Sequence, residues 1–90
     1  MSTVASQQPE AVLVELPSIN FNPGRKLAGT ISANAGKRLV ISMPEEIFAS
    51  APIRVQGKDL LFLGDVVECT PDADGKWSLH VSVTSKFMIF

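Results

Sequence analysis

Ninety residues, 46% of them hydrophobic, suffice for one packed domain and are too few for two. Eight basic against nine acidic residues give a net charge of −1, which supplies no broad positive field and speaks against a nucleic-acid polymer as partner. The single cysteine, Cys69, excludes an internal disulfide, no Cys/His cluster offers a zinc site, and no run approaches the roughly 18 apolar residues of a membrane span.

Residues 1–10 lack the charged start and apolar run of a secretory leader, so a short flexible start and a cytoplasmic location are expected. Residues 11–90 then form one domain, with no repeat and no linker. Val12, Val14 and Leu16 alternate with Leu13 and Glu15 as a first strand. The loop Asn22-Pro23-Gly24-Arg25 leads into a second, Leu27-Ala28-Gly29-Thr30-Ile31-Ser32, and a polar turn through Asn34 and Gly36 follows. Arg38 to Met43 is a third strand, stopped at Pro44. Pro44-Glu45-Glu46-Ile47-Phe48 has the form of one helical turn, with proline at its start and acids where the helix dipole favours them.

Ile53-Arg54-Val55-Gln56 alternates as a fourth strand and meets the turn Gly57-Lys58-Asp59. The fifth runs from Leu60 to Cys69, and Gly64 within it marks a bulge or a sharp bend. Pro71-Asp72-Ala73-Asp74-Gly75 supplies the chemistry of a hairpin turn. The sixth strand, Lys76 to Thr84, has the clearest alternation: Trp77, Leu79, Val81 and Val83 share one face, and Ser78, His80 and Ser82 the other. Six strands at about ten-residue spacing predict an all-β fold, a small antiparallel barrel with at most one short helical turn. Trp77, Leu79, Val81, Val83, Leu61 and Leu63 are the expected interior.

Three pieces of this order resemble the PilZ domain, a six-stranded barrel best known as a bacterial receptor for cyclic di-GMP. Gly29-Thr30-Ile31-Ser32, a glycine and Arg38-Leu39-Val40-Ile41 look like that family's second and third strands with their Asp/Asn-x-Ser-x-x-Gly turn. Ala51-Pro52-Ile53-Arg54-Val55 matches its fourth strand, and Leu61 to Cys69 with Lys76 to Val83 resembles its long final hairpin. The likeness covers about residues 11–84 and implies a binding module of bacterial signalling.

The departures bear on ligand binding. That family clamps its ligand with an Arg-x-x-x-Arg motif ahead of the first strand, where guanidinium forks suit phosphate and guanine. Here the region reads Ser6-Gln7-Gln8-Pro9-Glu10, and the first basic residue is Arg25. Thr30 stands for the family's Asp or Asn, and Ala35 for its glycine, which comes one position later at Gly36. The expectation is a non-catalytic signalling or adaptor domain that meets a protein partner and binds cyclic di-GMP weakly or not at all.

The alternative is a working receptor for cyclic di-GMP or a related anion. Arg25, Lys26, Lys37 and Arg38 flank the second strand, and gathering them would make an anion site, with Ser32, Asn34 and Gly36 presenting a hydroxyl and backbone N–H groups. As a plain turn, that segment needs only Asn34 and Gly36 for its φ angles. His80 has no second histidine to share a metal, and Asp72 and Asp74 lack the further carboxylates of a calcium loop, so no cofactor or metal is expected. No nucleophile elbow and no phosphate-binding glycine loop is present. The apolar ending Phe87-Met88-Ile89-Phe90 either covers the barrel mouth or meets a partner.

Overall fold

The structure, a computed structural model, describes residues 10–17, 24–48 and 51–89. Six strands make up the fold: β1 (Glu10–Leu16), β2 (Arg25–Asn34), β3 (Arg38–Met43), β4 (Pro52–Gln56), β5 (Leu60–Pro71) and β6 (Trp77–Met88). They close into a barrel in the order β1-β2-β3-β6-β5-β4, with every neighbouring pair antiparallel and β1 sealing the circle against β4. The all-β antiparallel barrel expected from the alternation is thus what forms. The expected flexible start falls, apart from Glu10, outside the described residues.

Alternation decides the interior because successive side chains point to opposite faces. Val12 and Val14, Leu39, Ile41 and Met43, Ile53 and Val55, and Leu79 and Val81 all point inward and are buried, with Trp77 and Val83 packed partly against them. Leu61 and Leu63 do not join them. β4 pairs with β5 so that Val55 faces Phe62 and Gln56 faces Leu61, which turns Phe62, Gly64 and Val66 inward and the two leucines outward. Gly64 is required by this packing, since a Cβ there would collide with the Ser82 carbonyl oxygen on β6.

Bulges set how far each alternation runs. Ser32, Val67 and Thr84 are the extra residues where the β2–β3 and β5–β6 ladders shift register. The hydroxyls of Ser32 and Thr84 donate across the shift to the carbonyls of Val40 (3.2 Å) and Leu63 (3.0 Å). The bulge at Val67 reverses the phase of β5, so Cys69 packs against the core instead of sharing the outward face of Asp65.

The helical turn expected at Pro44 to Phe48 is absent. The segment is irregular, because it must cross from β3 to the non-adjacent β4, and it drops Ile47 into the core. The Ile47 N–H donates to Cys69 Sγ at 3.5 Å. The one short helix among the described residues is the 3₁₀ turn Ala73–Gly75 between β5 and β6, where Asp74 (φ 63°) and Gly75 (φ 73°) reverse the chain. Among the described residues, no helix is long and apolar enough to cross a membrane.

Candidate functional site

Strand direction gives the barrel two ends. One gathers Glu10, the β2–β3 turn, the β4–β5 turn and Met88; the other gathers Leu16, Arg25, Met43, Pro52 and the β5–β6 turn. The four basic residues singled out from the sequence divide between these ends. Arg25 and Lys26 begin β2, while Lys37 and Arg38 follow its last residue, and a ten-residue strand spans on the order of 30 Å. The structure does not bring the two pairs together.

Arg25 already has a partner. Its guanidinium donates from both terminal nitrogens to the two carboxylate oxygens of Glu45, each at 2.9 Å, a planar fork-to-fork pairing. That hydrogen bonding holds the Glu45 carboxyl below its ordinary pKa and raises that of Arg25. Lys26 lies opposite Glu15 on β1, whose carboxylate approaches Arg54 Nε at 3.8 Å. Outward charges on β2, β1 and β4 therefore alternate in sign along one row.

At the β2–β3 turn the polar groups hold the turn itself. Asn34 Oδ1 accepts from the Gly36 N–H at 3.2 Å, Ala35 N–H donates to the Arg38 carbonyl at 2.9 Å, and Gly36 takes φ 74°. The Ser32 hydroxyl is spent on Val40, and the Lys37 carbonyl accepts from the Val83 N–H at 2.8 Å. Lys37 and Arg38 are exposed and make no ion pair among the described residues.

Of the tail residues, Phe87 and Met88 lie on β6 rather than across the barrel mouth. Strand β6 runs four residues beyond Thr84, to Met88, and Phe87 and Met88 remain 50% and 65% exposed. Ile89 is half-buried and its N–H donates to the Asp59 carbonyl at 2.7 Å; Phe90 lies outside the described residues. Phe87 stands opposite Leu61, which stands opposite Gln56, which stands opposite Leu13. One row across four strands thus presents three large apolar side chains to the outside, and Leu63 lies in the next row between Arg54 and Ser85.

Leu61 and Leu63 were the members of this surface that alternation along a single strand could not find, whereas the alternation of β1 already set Leu13 on the face opposite Val12 and Val14. The signal was in the hairpin: counting back from Gly57-Lys58-Asp59 sets Leu61 against Gln56, an outward polar residue.

The outer wall holds a shallow cleft of about 250 Å³ bordered by Glu15, Pro17, Pro52, Arg54 and Leu63. No three of His, Cys, Asp and Glu gather at metal-binding range among the described residues. Comparison of the chain with protein-family models, curated proteins and solved structures finds no match.

Proposed function

We propose that the chain is a non-catalytic, PilZ-like binding module that works through protein contact and binds cyclic di-GMP weakly or not at all. The observation that carries this reading is the outward apolar row of Leu13, Leu61 and Phe87, which the barrel does not use for its own core. Within it Leu61 and Phe87 are direct neighbours and Leu13 lies one strand beyond Gln56, and outward apolar side chains gathered in this way mark interaction surfaces.

The division of the basic residues argues in the same direction. A dianionic dinucleotide needs several cations converging on it, and here Arg25 is engaged by Glu45 while Lys37 and Arg38 stand at the far end of β2. The resemblance in the β2–β3 region and in the β5–β6 hairpin supports the family; the hydroxyl of Ser32, which donates to the Val40 carbonyl on β3, and the amide oxygen of Asn34, which accepts from the Gly36 N–H, support weak or absent ligand binding. The reading as a receptor keeps one favourable observation, the exposed Lys37 and Arg38, which make no ion pair among the described residues, beside the positive-φ Gly36.

Isothermal titration with cyclic di-GMP separates the two. The expected outcome is no saturable heat at micromolar protein. A micromolar or tighter constant, abolished by Arg38→Glu, would establish the receptor and end the adaptor reading.

A further inference from the structure

The β5–β6 hairpin is not covered equally along its length. Strand β3 pairs with Trp77 to Ser82 of β6, and the Val83 N–H reaches the Lys37 carbonyl; beyond that point the described residues give β6 no partner except β5. Thr84 to Met88 is therefore an edge, with one side of its backbone open.

Which groups face the opening follows from the ladder. The Ile89 N–H bonds the Asp59 carbonyl, so it points toward β5. Antiparallel pairing alternates residue by residue between hydrogen-bonded and non-hydrogen-bonded positions. Phe87 and Ser85 accordingly bond toward β5, while Lys86 and Met88 aim N–H and C=O out of the open edge. A row of unpaired backbone groups on an extended strand accepts another extended strand.

We infer that the open edge of β6 pairs antiparallel with the same edge of a second copy of this chain, about a two-fold axis at Phe87. This assignment goes beyond the ligand question and rests on reading the outer wall as an interaction surface. Three observations favour a second copy as the occupant. An antiparallel strand pair is self-complementary, as a two-fold interface requires. With Phe87 on the axis, Lys86 and Met88 of one copy exchange both backbone hydrogen bonds with Met88 and Lys86 of the other, and no lysine faces a lysine. The apolar row then continues across the axis, from Leu61 and Phe87 to Phe87 and Leu61 of the second copy, in the close non-hydrogen-bonded geometry that favours aromatic pairs. Shifting the axis to Lys86 would set two ammonium groups face to face and break the row.

The segment is short beside the roughly 20–30 residues a side of a standard interface, so association is an equilibrium that depends on concentration. Sedimentation of the full chain should show the weight-average mass rising from monomer toward dimer as protein concentration rises. Lys86→Pro removes an N–H that β5 does not use and blocks the edge; it should hold the chain at monomer mass with an unchanged melt.

Register is read by cross-linking in a Cys69→Ser background under mild oxidation. Phe87→Cys should give covalent dimer, because facing residues in such a pair have Cα atoms about 4.5 Å apart, within disulfide range; Ser85→Cys should not. Amide exchange supplies a readout that needs no variant: protection at Lys86 and Met88 should grow with concentration.

A wild-type chain that stays monomeric at millimolar concentration overturns the inference, as does a dimer that Lys86→Pro leaves intact. Cross-linking through Lys86→Cys instead of Phe87→Cys overturns the register. Protection of both amides at every concentration would mean that the chain covers its own edge, and would also overturn it. None of these outcomes touches the cyclic di-GMP titration, so the two readings fail separately.

Discussion

Near its turn, the β5–β6 hairpin has β6 held between β3 and β5, with the Asp72 carboxylate accepting from the Ala73 N–H at 2.7 Å and from the Ser78 hydroxyl at 3.0 Å. Toward Met88 the same strand has, among the described residues, β5 alone. The side chains follow the backbone: Leu79 and Val81 are fully buried, whereas Phe87 and Met88 are half exposed or more. Apolar character alone did not decide burial along β6. Direction did: the bulge at Thr84 turns Phe87 onto the outward face it shares with Leu61, whereas Leu79 and Val81 stay on the inward face.

The largest effect should come from cutting into the enclosed half. Leu79 is fully buried among core residues, and Leu79→Ala should cost about 2–5 kcal/mol, the range for large-to-small core changes. The equivalent cut in the outward row, Leu61→Ala, should cost about 0.5–1 kcal/mol, as partly exposed positions do. Denaturant unfolding of both variants tests the comparison. Equal losses would put Leu61 in the core and dissolve the outer row on which the functional reading depends.

Next comes the point where the two halves meet. Gly64 is buried, and an added methyl would meet the Ser82 carbonyl oxygen and carbon and Val81 Cγ1. Backbone cannot swing aside as a flexible side chain can, so Gly64→Ala should destabilise the fold by about 1–3 kcal/mol. Gly36 offers a contrast, with open space around a Cβ but φ +74°. Gly36→Ala should cost about 1–2 kcal/mol through backbone strain alone. Unfolding curves in which Gly64→Ala is neutral would mean that β5 and β6 stand farther apart there than the register requires.

Much of this was legible in the sequence where one residue's neighbours forced its direction. The Trp77 to Val83 alternation has polar residues at every second place, so it fixed its own inward face, and Arg38–Met43 was bounded by a basic pair and Pro44. Leu60-Leu61-Phe62-Leu63 is apolar at every position and cannot orient itself. Its face was set by β4 through the Gly57 to Asp59 turn, which a reading strand by strand does not consult. The candidate anion cluster needed both ends of β2 to be near one another. The added length of the strand, Arg25–Asn34 rather than Leu27 to Ser32, keeps them apart. The pairing of Arg25 with Glu45, twenty residues away, depends on the β2–β3 register, which no local pattern states.

The smallest expected effect is electrostatic, and it belongs to the end of the barrel that carries Arg25 and the β5–β6 turn. The Asp72 carboxyl sits below its ordinary pKa, first because the Ala73 N–H donates to it and then because the Ser78 hydroxyl does. The Glu45 carboxyl is depressed first by its hydrogen bonds from Arg25, with the guanidinium's charge adding to them. A carboxyl whose pKa is lower folded than unfolded stabilises the fold above its unfolded pKa, and that contribution disappears as pH falls through the folded value. Melting temperature should therefore hold level from neutrality to about pH 5 and decline below about pH 4, the ordinary carboxylate range. Asp72→Asn keeps an oxygen that can accept from Ala73 but cannot titrate. Glu45→Gln removes the charge of the Arg25 pair. Both pairs are exposed, so each variant should change the neutral-pH melt little and shallow the acid decline. Salt provides the finer separation. It screens the charge contribution of the Arg25 and Glu45 pair, which is the lesser cause beside their hydrogen bonds, so high salt should weaken the effect of Glu45→Gln more than that of Asp72→Asn. An acid decline that survives unchanged in the double variant would show that this end of the barrel owes its order to Ile47 and the β3 and β5 ladders, with these carboxylates contributing nothing measurable.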